Sequence, residues 1–183
     1  MNRTLPTTPQ AVLAFWRDAG PQRWFRRDDA FDADFRDRFL AAHEAASSGG
    51  LQHWQDDPDG ALALVLLLDQ FPRNAFRGTP RVYATDAQAR TIADAALAAG
   101  FDRQVDAALR RFFYLPFMHS EDLADQERSL ALNADAGEDA LRWARHHRDV
   151  VARFGRFPHR NAVLGRDSTP EEARFLAEGG FTG

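Results

Sequence analysis

A chain of 183 residues, 44% hydrophobic and 27% charged, has enough apolar side chain for one full core and no linker-like stretch that would divide it, so a single domain over 1–183 is expected. Its net charge of -4 offers no overall attraction to nucleic acid or to an anionic membrane, so any anion binding has to be local. The lack of cysteine excludes a disulfide framework, a thiolate nucleophile and cysteine-ligated zinc, and fits a reducing compartment.

The opening MNRTLPTTPQ has no apolar signal-peptide core. The longest apolar run, Ala61 to Leu68, is far short of the roughly 20 residues that cross a bilayer. A cytoplasmic protein without a membrane partner is therefore expected. All 23 basic residues are arginine, whose planar fork suits carboxylate and phosphate, but nucleotide bias would produce the same composition.

In chain order, Thr8-Pro9 predicts a helix start, and Ala11, Phe15 and Ala19 carry that helix to Gly20. Phe31, Phe35, Phe39 and His43 share one face of a second helix, ended by Ser47-Ser48-Gly49-Gly50. Asp57-Pro58 opens a third helix that is apolar all round from Leu62 to Leu68, as for a central helix, and it should stop at Pro72. Thr85 or Asp86 caps a fourth, which runs to Gly100, and a further helical segment covers Val105 to Phe113.

Ser120 reads as a helix cap, with Glu121 and Asp122 in the first turn where the helix dipole favours acids; this helix continues through Leu130. Trp143, His147, Val150 and Phe154 form one face of a helix from Glu138 to Gly155. Thr169-Pro170-Glu171-Glu172 is a capping box that opens the last helix, which ends at Gly179-Gly180. With no period-two alternation, the expected fold is all-α, about eight helices in antiparallel pairs.

One motif is written twice: FPRNAFRG at Phe71 to Gly78 and FPHRNAVLG at Phe157 to Gly165. Each Phe-Pro can close a helix and anchor its exit, and each Arg-Asn supplies a fork and an amide beyond it. The second copy lies in RFGRFPHRNAVLGRDST, where Arg153, Arg156, His159, Arg160, Asn161 and Arg166 face one acid, Asp167. Such a set suits recognition of phosphate or carboxylate, and it equally suits the capping of orphan helix carbonyls. In the first copy Asp69 falls on the buried line of Leu62, Val65 and Leu66, so it needs a cation: Arg73 one turn on, or an arginine of the second loop. Gln70 and Asn74 flank it.

A third stretch, FFYLPFMHSEDLADQ, sets aromatics around Tyr114 and then brings His119, Ser120, Glu121 and Asp122 together, with Gln126 or Glu127 expected to point inward. One histidine among clustered acids matches no strong metal-ligand spacing, and no cofactor motif is present. His119 suits general acid or base work near neutral pH. His147 reads as a hydrogen-bonded core histidine. The basic run around His146-His147 lacks any recognisable nucleic-acid module, so no nucleic-acid partner is expected.

In order and spacing, WF at Trp24-Phe25, FDADFRDRF, DQFPRNAFRG, FFYLPFMHSEDLADQE and RFGRFPHRNAVLGRDSTPEEARFL together resemble the bacterial family catalogued as domain of unknown function 924, over Phe15 to Leu176. The resemblance implies an all-helical, TPR-like fold and no assigned activity. It draws attention to Asp69, Gln70, Arg73, Asn74, Tyr114, His119, Ser120, Glu121, Asp122, Gln126, Arg156, His159, Arg160 and Asn161.

The chemistry of the residues points to a small anionic ligand bound in a polar pocket framed by both Phe-Pro motifs. Arg156 and Arg160 would hold the anion, Asn74 and Asn161 orient it, and Gln70, Arg73, Ser120, Glu121, Asp122, Gln126, Arg153 and Arg166 complete the binding set. His119, His159, Tyr114 and Asp69 are the candidate catalytic groups for metal-free acid-base chemistry without a cofactor. The alternative is a groove for a peptide, with no catalysis. Oligomeric state has no sequence signal.

Overall fold

The structure, a computed structural model, describes residues 7–181; the opening MNRTLP and the last two residues lie outside them. The described residues are all-α, with no strand among them. They divide into two compact units: the chain up to Arg77 with Arg81–Pro116, and Gly78–Pro80 with the chain from Phe117 onward.

In the first unit, α1 (Pro9–Ala19) starts as its sequence requires, Thr8 Oγ1 accepting from the Ala11 amide at 3.2 Å. A single turn, α2 (Pro21–Trp24), places Trp24 so that its indole N–H donates to the Trp16 carbonyl at 2.7 Å. α3 (Asp29–Ser47), capped by Asp28, buries Phe31, Phe35, Phe39 and His43 along one face, where the Phe15 ring stacks on Phe31 and Phe35. α4 (Pro58–Val65) has Asp57 as its cap, bonding the Gly60 amide at 2.9 Å, and every residue from Gly60 to Val65 is buried.

Gly60 sits where a Cβ would run into the Trp54 carbonyl, a backbone atom that cannot swing away. Gly60→Ala should therefore destabilise the unit by about 1–3 kcal/mol through overpacking, read as a lower urea midpoint at unchanged slope.

The third helix does not stop at Pro72. It passes through a π-helical turn, Leu66–Gln70, into α5 (Phe71–Ala75). Phe71 N–H bonds five residues back, to the Leu66 carbonyl, and Pro72 has no N–H to give. This register shift frees the carbonyls of Leu67 and Leu68 from their usual donors, and side chains from elsewhere in the unit take them. His43 Nδ1 donates to Leu67 O at 2.9 Å, and Thr85 Oγ1 donates to Leu68 O at 2.5 Å. Proline is tolerated because tertiary donors replace the missing backbone bonds.

α6 (Asp86–Ala98) follows, with Gly100 in the left-handed conformation at φ +70° beyond its end. Thr85 occupies the cap position, yet its hydroxyl is committed to Leu68 rather than to the α6 amides. The helix expected over Val105 to Phe113 is absent as such: turns lead to a short 3-10 segment, Arg110–Phe113. Asp106 Oδ1 takes the Ala108 amide at 2.9 Å, a local side-chain bond that competes with continuous helix.

α7 (Leu115–Met118) leads into the second unit. There α8 (Leu123–Asn133) and α9 (Glu138–Phe154) pack as neighbours joined by a short loop ending in Gly137. The cap of α8 is Asp122, two residues later than expected, its Oδ1 accepting from Ala124 N at 2.7 Å; Ser120 Oγ instead donates to Asp125 Oδ2 at 2.6 Å. α9 ends at Gly155 and buries His147, Val150 and Val151, while Trp143, expected on that face, is 48% exposed. α10 (Pro170–Ala177) carries the predicted capping box between Thr169 and Glu172. No helix among the described residues is long and apolar enough to cross a membrane.

Candidate functional site

The polar side chains that the sequence singles out are described unit by unit. In the first unit, Asp69 is wholly buried within the π turn. Arg73 Nη1 stands 3.2 Å from Asp69 Oδ1, donates to the Asp69 carbonyl at 2.8 Å, and grips Asp86 through both terminal nitrogens at 2.8 and 3.0 Å. The local cation, one of the two expected for Asp69, is thus in place. Burial opposes the charge on Arg73, and the two carboxylates overcome it and raise its pKa.

Gln70 Nε2 donates to Asp69 Oδ2 at 2.5 Å. Asn74 Nδ2 donates to Asp32 Oδ1 at 2.6 Å, where Arg77 Nε also engages Asp32 at 2.6 Å. Tyr114 donates its hydroxyl to Asp102 Oδ2 at 3.0 Å. Burial, with Asp102 alongside, pushes its pKa up to about 12, so it stays a protonated donor at neutral pH. Every one of these groups pairs with a partner of the first unit.

The second unit gathers the residues of HSED and FPHRN. Glu121 accepts a bidentate fork from Arg166 at 2.7 and 2.9 Å and the Phe157 amide at 2.8 Å, which ties the HSED turn to the second Phe-Pro. Burial works against its charge, but the Arg166 and Phe157 hydrogen bonds prevail and its pKa is lowered. Glu172 takes the second fork, from Arg156 at 2.6 and 2.8 Å, plus the Thr169 amide at 2.7 Å; the Arg156 bonds, against the cost of burial, bring its pKa down to about 2. Asn161 joins the two pairs, its Oδ1 accepting from Arg166 at 3.0 Å and its Nδ2 reaching Glu172 at 3.3 Å. Arg153 pairs with Glu171 at the surface. The forks of Arg156 and Arg166 are therefore committed to carboxylates of their own unit.

Arg160 is placed differently. Its guanidinium is buried, donates to the His119 carbonyl at 2.9 Å and lies over the Phe157 ring, 4.5 Å from the centroid. The turn bearing His119 is stapled by Gln126, wholly buried, whose Nε2 donates to the carbonyls of Met118 at 2.7 Å and Ser120 at 2.6 Å; Glu127 is the exposed member of that pair. Asp122 serves the α8 cap and is exposed.

Around Arg160 stand imidazoles. The His119 and His147 rings are 6.4 Å apart, His147 lies 5.7 Å from Phe157, and so does His159. Phe181, just past α10, packs 4.6 Å from His147 and 5.1 Å from His159. His147 Nδ1 faces the Trp143 carbonyl at 2.8 Å and must carry the proton, leaving Nε2 with the lone pair. Burial, then the neighbouring His119, His146 and Arg160, holds its pKa down at about 3. Among the described residues no group of three or more His, Asp or Glu is arranged to hold a metal ion.

Two participants escaped the sequence reading. Glu172 was legible only as a capping-box acid, although it also anchors Arg156. His147 sat on an apolar face, and nothing in its spacing marks the approach of His119 and Arg160 from distant segments.

The profile of DUF924, described as a bacterial protein of unknown function, matches residues 12–180. The chain is similar to a solved structure of a protein of unknown function from Agrobacterium tumefaciens, with 53% identity, a TM-score of 0.91, and coverage of 93% of this chain and 97% of that one. No curated protein matches.

Proposed function

The chain belongs to the DUF924 family of bacterial proteins of unknown function, and we propose that its second unit binds a small anion bearing phosphate or carboxylate. One observation carries the reading: the buried guanidinium of Arg160 donates to the His119 carbonyl and lies over the Phe157 ring, against which His147 and His159 also pack. Guanidinium forks and imidazoles gathered from one turn and one loop are the donor set that recognises an oxyanion. His119 or His159 is the group to exchange a proton with the ligand if a reaction follows, by metal-free acid-base chemistry.

We propose a cytoplasmic setting, in keeping with the cysteine-free composition. A TPR-like scaffold that receives a peptide is the second reading; it draws on the α8–α9 pairing and on fold analogy.

A thermal-shift screen of phosphorylated and carboxylated metabolites tests the anion site. A ligand at about 100 times its Kd stabilises the native state by about 2.7 kcal/mol. Arg160→Ala, with its circular dichroism retained, should lose that shift. A full shift in this variant would refute the site, and a variant that melts far below wild type without ligand would mark Arg160 as structural.

A further inference from the structure

Independently of the anion site in the second unit, we infer that the first unit carries a docking surface for an acidic segment of a partner protein, built on the exposed ring of Phe25 and the guanidinium of Arg111. Phe25 directly follows α2 and is 55% exposed. Its ring stacks on Phe112, with centroids 6.0 Å apart and planes 20° from parallel. Phe112 is wholly buried and meets Trp16 and Trp24 nearly at right angles, at 5.4 and 5.2 Å. The Trp24 indole is fixed in turn by its hydrogen bond to the Trp16 carbonyl. An outward-facing ring is thus backed by a packed aromatic stack, and an anchor held in place before binding loses little entropy on binding.

Arg111 is half-buried and lies over the Phe25 ring, 4.7 Å from its centroid. Among the described residues its guanidinium has no carboxylate partner, and burial lowers its pKa with no acid to oppose the shift. The arginines near it in the sequence are placed otherwise. Arg110 Nε donates to the Asp102 carbonyl at 2.8 Å, while Arg27 pairs with Asp29 at 3.1 Å and Arg23 stands 3.9 Å from Asp28. Asp102 itself accepts from the Tyr114 hydroxyl. Arg26, exposed and next to Phe25 in the chain, is likewise without a carboxylate among the described residues. A cation–π contact engages the charge of a guanidinium and leaves its N–H donors for other acceptors.

Charge and shape select the occupant. Arginines without acids beside an apolar ring complement a carboxylate that stands next to an apolar side chain, as in an acidic peptide segment. Arginine and aromatic residues also dominate the energetics of protein interfaces. A ring standing out from the surface encloses nothing, whereas metabolite sites are concave. A nucleic-acid strand would approach a chain of net charge -4.

Selection of phage-displayed random peptides on the full-length protein identifies what the surface takes. Peptides with Asp or Glu next to an aromatic or aliphatic residue should be enriched. The best of them, synthesised, should bind Arg111→Ala about thirtyfold more weakly, the size of an interfacial hot spot, with circular dichroism retained. Arg111→Lys should lose nearly as much, because a point charge does not replace the fork. In the wild-type protein, saturation with this peptide should shift the Arg111 Nε–H signal in 15N spectra, a measurement that needs no variant to fold. No enriched peptide, enriched peptides without an acid, full affinity in Arg111→Ala, or an Arg111 signal unmoved at saturation each overturns the inference. A wild-type dimer that Arg111→Ala dissociates overturns it in favour of a second copy of the chain, and Arg111-dependent binding of a single-stranded oligonucleotide tighter than that of the peptide overturns it in favour of nucleic acid.

Discussion

Arg73→Ala should be the most damaging single substitution in the first unit, costing about 3–5 kcal/mol. The guanidinium serves two carboxylates at once, Asp69, wholly buried, and Asp86, nearly so. Its removal takes this cation from both buried carboxylates and also strips the Asp69 carbonyl of a donor. For a chain of this size the loss should lower Tm by roughly 10 °C. Adding Asp86→Asn to the Arg73→Ala protein should recover part of the stability, because one of the two carboxylates that Arg73 served is then neutral. Chemical denaturation of the three proteins makes the check, and a loss below about 1 kcal/mol for Arg73→Ala would contradict the account.

The second large effect is a loss of stability on acidification that begins near neutral pH. His147 ordinarily titrates at 6.5, and in the folded unit its pKa is lowered to about 3 by burial and by His119, His146 and Arg160. Between these values the unfolded chain binds a proton at this residue and the folded one does not, so stability falls as pH falls. The contribution is fully present above pH 6.5 and is lost progressively towards pH 3, at up to about 1.4 kcal/mol per pH unit. His43, whose pKa burial also lowers, adds a slope of the same sign in the first unit. Glu172 acts later: its pKa of about 2 lies below the ordinary 4.5, so the stability it confers is intact above 4.5 and lost from there down to 2. Urea melts at intervals from pH 8 to pH 4 should show the slope starting above the carboxylate range. His147→Gln should flatten it between pH 6.5 and 4.5, and an unchanged slope in that variant would place the titrating group elsewhere.

Most of the fold could be read directly from local chemistry. Thr8, Asp57 and Thr169 cap the helices they precede, because a side-chain oxygen three residues from an orphan amide reaches it whatever the rest of the chain does. The buried faces of α3 and α4 followed from spacing alone, as did the inward placement of Asp69, whereas spacing left Gln126 and Glu127 as alternatives of which Gln126 is the buried one. Local chemistry is ambiguous where a residue has two local options. Ser120 and Asp122 compete for one helix start, and the choice went to Asp122 once Ser120 had bonded Asp125. Proline at position 72 predicts a helix end only if no donor elsewhere takes over the freed carbonyls.

The sequence by itself determined an all-helical chain and the residue types of the candidate site, since capping, periodicity and side-chain chemistry act over a few residues. Tertiary structure alone decided which arginine meets which carboxylate. Arg166 reaches back 45 residues to Glu121, Arg160 reaches 41 to the His119 carbonyl, and His43 spans 24 to cap the π turn. The physical reason is that a buried charge or carbonyl must be satisfied by some donor, but its pattern in the sequence does not name the donor. Packing does, by bringing to each orphan group the one side chain whose length and direction fit.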